Sequence, residues 1–176
     1  MNFWNISINC AGPPETGGMY LVIKNTSVMT PEFVQLTIGR TRLLFPRSEL
    51  LALEATPETG TAGDAGSIGI ININDVILSV YNFDEQLQLL GEAQDNRRNC
   101  ACLGDGNTAF GIMCEKAEIA DSAGMQIVNL PACMLSANTP VQALAMQGTR
   151  ILCICGVERI ARLINVASGV QCHGRE

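Results

Sequence analysis

The stretch Gly69-Ile-Ile-Asn-Ile-Asn-Asp-Val-Ile-Leu-Ser-Val-Tyr-Asn-Phe83 decides how the chain is read. Its β-rich halves, Ile68 to Ile73 and Val76 to Tyr81, meet at the turn Asn74-Asp75 and are predicted as paired strands. Phe83, Leu87 and Leu90 then fall at helical spacing, so a helix is expected over Asp84 to Leu90, stopped by Gly91. A shorter version returns as Gly148-Thr-Arg-Ile-Leu-Cys-Ile-Cys-Gly-Val157, followed by a second predicted helix from Glu158 to Ile164. A shift of about 74 positions lays Ile77-Leu78 on Ile151-Leu152, Val80 on Ile154, Phe83 on Val157 and Asp84 on Glu158. Two copies of one small β module imply a pseudo-symmetric body with a seam between its halves.

The bulk composition agrees with a protein that makes contacts rather than chemistry. The 176 residues fit one domain or two closely packed subdomains, and 47% hydrophobic against 16% charged residues leaves apolar surface to spare. A net charge of −6 without a basic stripe argues against nucleic-acid binding, which depends on Lys and Arg neutralising phosphates. The N-terminal Met-Asn-Phe-Trp-Asn-Ile-Ser lacks the basic and apolar regions of a signal peptide, and no window approaches the ~20 apolar residues of a membrane span. A cytoplasmic protein without membrane insertion is expected, with its eight cysteines reduced. The sequons at Asn5 and Asn25 carry no meaning in that compartment.

Residues 1–30 read as an extension, broken by Gly12-Pro-Pro and Gly17-Gly18, with one strand from Met19 to Ile23 and with Phe3 and Trp4 as anchors. The body is expected over 31–166, in interleaved subdomains with halves at about 31–91 and 98–166, before a flexible tail over 167–176. Phe33–Ile38 and Arg42–Phe45 flank Gly39-Arg-Thr as a hairpin, and Leu50, Leu51 and Leu53 continue as an apolar segment. Ala55 to Ser67 is a loop by composition, and Glu92 to Arg97 a polar link. Arg98–Leu103 and Ala109–Cys114 form another hairpin around Gly104-Asp-Gly-Asn. An irregular region around Pro131 and Pro140 precedes the last strand, Arg150–Cys155. The final helix carries Val157, Ile160, Ala161 and Ile164 on one face, with Glu158 and Arg162 paired at i, i+4. Fold class follows: all-β with minor helix, two small barrels packed together.

Catalytic chemistry is poorly supported. The single histidine, His173, sits in the Gly-containing tail. Cys100-Ala-Cys102 and Cys153-Ile-Cys155 place side chains roughly 6–7 Å apart on one strand face, too far for an unstrained disulfide. They read as packing residues before they read as a zinc site or a thiol sensor. Gly60-Thr-Ala-Gly-Asp-Ala-Gly66 lacks the Lys-Ser/Thr of a phosphate-binding loop and leads into a strand. Asp84-Glu85 and Glu115-Lys-Ala-Glu118 read as solvated carboxylates. No catalytic group, cofactor or metal site is assigned.

By the strand-turn-strand-helix expected over Ile68 to Leu90, the chain resembles the CheW-like domain of bacterial chemosensory adaptors. Gly69-Ile-Ile-Asn-Ile-Asn-Asp75 lies where that family has Gly-Val-Ile-Asn-Leu-Arg-Gly, and Ser79, Asn82 and Phe83 fall at its Pro, Asp and Leu places. Gly111-Ile-Met-Cys-Glu-Lys-Ala117 is similar to its Gly-Leu-Leu-Val-Asp-Glu-Val. Gly148 to Ile160 is similar to its closing segment, with Gly156 at the Asp place, and Phe45-Pro46 and Leu50-Leu-Ala-Leu53 match its early strands. The resemblance spans about residues 31–166 and implies two SH3-like five-stranded barrels around a shared core. It further implies a non-catalytic scaffold that links the regulatory domain of a CheA-type histidine kinase to the cytoplasmic tips of methyl-accepting chemoreceptors. On this resemblance the protein-binding groove and rim comprise Leu50, Ala52, Leu53, Asn72, Asn74 and Asp75. The rim departs from the family: Asn74 replaces an arginine, Asp75 a glycine, and Ala52 a glutamate. Losing a bidentate donor and gaining an opposite charge implies an altered or absent receptor partner. An auxiliary adaptor of a divergent array, such as one controlling type IV pilus motility, fits that change. A thiol sensor or zinc protein, and an assembly protein built on a duplicated β body, are the alternatives.

Overall fold

The computed structural model describes residues 32–55, 63–136 and 139–169, all within one unit, Pro31–Glu176. Phe3, Trp4, the expected strand Met19–Ile23, most of the loop before Ser67, and His173 lie outside the described residues. The elements run β1 (Phe33–Ile38), β2 (Thr41–Pro46), a 3₁₀ turn (Arg47–Glu49), β3 (Leu50–Ala55), β4 (Gly69–Ile73), β5 (Val76–Phe83) and β6 (Leu89–Leu90). They continue through β7 (Asn99–Gly104), β8 (Ala109–Cys114), β9 (Lys116–Ala120), β10 (Gln126–Asn129), a 3₁₀ turn (Ala132–Met134), β11 (Val141–Gln147), β12 (Arg150–Cys155) and α1 (Val157–Ala167).

Local sequence sets the hairpins. β4 and β5 pair antiparallel with Ile73 opposite Val76, leaving Asn74 and Asp75 as a two-residue turn at φ +49° and +67°. Asn and Asp are among the few side chains that tolerate two successive positive φ values, the requirement of a turn matched to strand twist. The β1–β2 turn uses Gly39 at φ +57° between Ile38 and Thr41. In the longer β7–β8 turn the Asp105 carboxylate accepts the N–H groups of Asn107 (2.9 Å) and Thr108 (2.8 Å).

Two sheets result, in the orders β10-β11-β12-β2-β1-β9 and β3-β7-β8-β5-β4. Read from β4, the second sheet repeats the first from β11 onward: a hairpin, a parallel step, a second hairpin, then an antiparallel edge strand. The parallel steps are β5 with β8 and β12 with β2, and Val80 and Ile154, matched by the sequence shift, both stand in them. The edge strands are exchanged. β3 follows β2 in the chain but pairs with β7, and β9 follows β8 but pairs with β1.

Three apolar clusters fill this body. Leu44, Ala143, Ala145, Leu152 and Ile154 pack inside the first curled sheet. Leu78, Val80, Cys100, Cys102 and Met113 pack inside the second, with Ala52, Ile71 and Ile73 against them. The largest cluster lies between the sheets and takes Leu36, Phe45, Phe83, Leu103 and Ile112, with Val157, Ile160 and Ile164 of α1 over it. This is the CheW-like two-subdomain β architecture expected from the sequence. The α1 face matches as well, and Arg162 pairs with Glu158.

Two expectations are corrected and one gap is filled. Asp84 to Leu90 is not a helix: the Asp84 carboxylate accepts the N–H groups of Gln86 and Gln88 (both 2.8 Å), and Leu87 adopts φ +61°. The turn drives Leu87 into the shared core, so three apolar residues at helical spacing here mark a plug and a short strand. Around Pro131 the described chain is irregular apart from a 3₁₀ turn, as expected, but β9, β10 and β11, which sequence reading leaves unassigned, lie on either side of it. Arg97 is no solvated link residue: it is 5% exposed, and its Nη1 donates to Asn82 Oδ1 and to the Phe83 carbonyl.

Candidate protein-docking surface

The six residues assigned to groove and rim all lie on the second sheet, three on β3 and three on or beside β4. β3 and β4 are its opposite edges, so the residues form two groups on one sheet rather than one pocket. Leu50 packs against the shared core. A bulge between Leu50 and Ala52 then turns Ala52 into the barrel interior beside Cys102, its register partner. Leu53 stands opposite Ala101, a shared-core residue, but beyond the edge of that core, where it is 44% exposed. Asn72 faces Ile77 across the β4–β5 ladder, on the side of β5 that carries Tyr81 and Phe83 into the shared core. Both Asn72 and Ile77 are exposed. Asn74 and Asp75 crown the hairpin, also exposed.

Leu53, Asn72 and Ile77 therefore flank the seam between the sheets, Asn74 and Asp75 project beyond it, and Ala52, partly buried, turns toward the barrel interior instead. Leu51, 52% exposed, lies over Gly104, where an added Cβ would stand 2.8 Å from Leu51 Cδ1. Val76 is 54% exposed and Ile77 67%. The surface is thus apolar at the flanks, with Leu53 and Ile77, and acidic at the tip, with Asp75. Such a surface can bury an apolar stripe of a partner helix while rejecting acidic groups at its end.

Polar contacts, part-buried or at the surface, tie α1 and the β1–β2 turn to the body around this surface, and sequence reading missed them. The Glu49 carboxylate accepts the N–H of Val157 at the start of α1 (3.0 Å), fixing the helix to the turn where the chain crosses between sheets. Its pKa is raised, chiefly by burial, against the lowering effect of that hydrogen bond. The Glu115 carboxylate accepts the Gly39 N–H (2.9 Å), and Glu85 accepts the N–H of Arg40 (3.2 Å), so residues next to β8 and β5 grip the β1–β2 turn. Asn82, fully buried, donates to the Glu92 carbonyl (2.7 Å) while accepting from Arg97.

The thiols are mostly packed away. Cys100, Cys102, Cys114 and Cys155 are buried and Cys133 is exposed. A hydrogen bond with Cys102 and burial push the Cys100 pKa up. Burial pushes Cys114 up to about 12 and Cys155 upward as well. Groups so strongly protonated are poor nucleophiles and poor metal ligands. Among the described residues no three His, Cys, Asp or Glu side chains are grouped as a metal site, and no helix is long and apolar enough to cross a membrane.

No protein-family profile matches the sequence, and no curated protein sequence matches it. Among solved structures, the crystal structure of the scaffolding protein TtCheW from Thermoanaerobacter tengcongensis is similar, with a TM-score of 0.50 at 11% sequence identity. The match covers 71% of this chain and 88% of that one. The likeness is one of fold.

Proposed function

We propose that this chain is a non-catalytic scaffold of bacterial chemosensory signalling. It binds the regulatory domain of a CheA-type histidine kinase and presents the seam between its two sheets to the cytoplasmic tip of a methyl-accepting chemoreceptor, at the membrane-associated array in the cytoplasm. The observation that carries the reading is the likeness of this two-sheet fold, in which β3 and β9 are exchanged around a shared core, to that of a scaffolding protein. The receptor-facing rim is altered, which suits an auxiliary adaptor of a divergent array such as a type IV pilus system.

Binding of receptor-tip helices before and after two changes tests the receptor half of this reading. Leu53→Trp, at a flank position 44% exposed, overfills the surface without entering the core and is expected to weaken binding. Asn74→Arg restores the donor of ordinary adaptors and is expected to strengthen it. Arg at φ +49° costs about 1 kcal/mol in the turn, so melting temperatures are compared alongside. If neither change moves receptor affinity, the seam is not the receptor site. The thiol-sensor reading is less well supported, because the buried thiols with raised pKa values are those a sensor would need to expose.

A further inference from the structure

From Ser122 to Thr149 the chain runs twenty-eight residues without Asp, Glu, Lys or Arg, in a sequence that is 16% charged. This run builds β10 and β11. β10 has no counterpart in the second sheet, and among the described residues no strand pairs with its outer edge. Open edges in soluble proteins are commonly guarded by charge, proline or a bulge, whereas β10 reads Gln126-Ile-Val-Asn129 with all four residues exposed. Ile127 and Val128 are 49% and 46% exposed. Val128 stands opposite Leu144 and Gln126 opposite Met146, while Met146 stands opposite Ile151. Val128, Met146 and Ile151 therefore share one sheet face, and Met146 and Ile151 are 42% and 63% exposed.

We propose that this edge is the seam of a two-fold dimer, in which β10 pairs antiparallel with β10 of a second copy and joins the two six-stranded sheets into one. Two observations select a second copy as the occupant. Molecules each carrying −6 repel one another, and an uncharged face is where they approach at least electrostatic cost. A two-fold axis through an antiparallel strand pair also sets one residue against itself. On β10 that residue is Ile127 or Val128, so β-branched side chains meet across the axis and no like charges are opposed. Ile127 and Val128, the apolar side chains that meet across the axis, expose on the order of 200 Å² per copy, well short of the ~800 Å² per partner of a standard interface. The dimer is accordingly weak and concentration-dependent, and added salt, by screening the net charge, leaves it unchanged or strengthens it.

Analytical ultracentrifugation of the full chain over about 1 to 300 µM, a range that brackets weak association, reads this directly. The weight-average mass is expected to climb toward twice the monomer. Val128→Lys or Ile127→Lys is expected to weaken association by at least about tenfold, while Ile77→Lys on the second sheet leaves it unchanged. Hydrogen exchange on the unaltered protein supplies a reading that needs no variant: exchange of the β10 backbone N–H groups slows as concentration rises. A monomer at every concentration overturns the proposal, as does a dimer that survives both β10 substitutions. Protection of β10 that does not depend on concentration also overturns it, because another occupant then holds the edge.

Discussion

Replacing Glu49 separates two roles that one carboxylate plays. Glu49 sits on the 3₁₀ turn between β2 and β3, where the chain leaves the first sheet for the second, and its Oε2 accepts the Val157 N–H at 3.0 Å. Residue 156, the N-cap of α1, is glycine and offers no side-chain cap, so Glu49 supplies from 108 residues away what a capping Ser or Asp supplies locally. Glu49→Ala removes that acceptor and is expected to cost about 1–2 kcal/mol, which for a chain of this length lowers Tm by roughly 2–8 °C. Glu49→Gln keeps an acceptor oxygen and relieves the burial that dominates the upward pKa shift. Its stability at neutral pH is expected to lie within about 0.5 kcal/mol of the unaltered protein, or above it.

The pH dependence follows from the same shift. Because the folded pKa lies above the ordinary value of 4.5, the folded state holds the proton more tightly than the unfolded state. The contribution of Glu49 is then fully present below 4.5 and declines as pH rises through the folded pKa. Relative to Glu49→Gln, the unaltered protein should lose ground between those two values and hold level above them. Urea unfolding of the three proteins at a series of pH values between 4 and 8 measures this, covering the carboxylate range. Equal loss in the Gln and Ala variants at neutral pH would refute the reasoning, since charge rather than an acceptor would then hold the helix. No loss in Glu49→Ala would mean that α1 is not fastened to the crossover.

Other consequences can be measured with the same protein. Gly111 lies in the parallel step between β5 and β8, where an added Cβ meets Cys100 Sγ at 2.7 Å and Val80 Cγ2 at 3.2 Å. Gly111→Ala is therefore expected to destabilise by about 1–3 kcal/mol in urea unfolding, and Cys100→Ala in the same chain should recover part of the loss. Arg97→Ala leaves Asn82 Oδ1 and the Phe83 carbonyl without their donor, an expected cost of about 2–4 kcal/mol. A loss below about 0.5 kcal/mol would show those groups resolvated. Among the described cysteines, mass-mapped alkylation of the folded protein should label Cys133 first and leave Cys100, Cys114 and Cys155 at least about tenfold slower. Equal rates would reopen the thiol-sensor reading.

How much of this was legible in the sequence depends on whether the forces are local. The hairpins at Gly39-Arg40 and Asn74-Asp75 declare themselves because alternation and turn chemistry act within a few residues. The repeat is legible for the same reason, and in three dimensions it places Val80 and Ile154 in equivalent parallel steps. β10 and β11 escape notice because one is four residues long and the other, Val-Gln-Ala-Leu-Ala-Met-Gln, is rich in alanine and weak in strand propensity. The turn at Asp84 imitates a helix, and only the cavity that receives Leu87 distinguishes them. Only the placement of the residues assigned to groove and rim can be compared with the sequence reading. Leu53 and Asn72 do flank the seam, but the bulge that turns Ala52 inward, and the non-local partners that bury Arg97 and hold Glu49, leave no mark in a single sequence.

The central claim is that this fold serves as a kinase-binding scaffold, and calorimetric titration of the full chain with the regulatory domain of a CheA-type kinase from the same organism tests it most directly. The account predicts a one-to-one complex of micromolar or tighter affinity, the range of a standard interface between folded domains, and the same affinity for the Ile127→Lys form. No detectable heat and no complex with any such kinase encoded there would contradict it, leaving a shared architecture without the scaffold's partner.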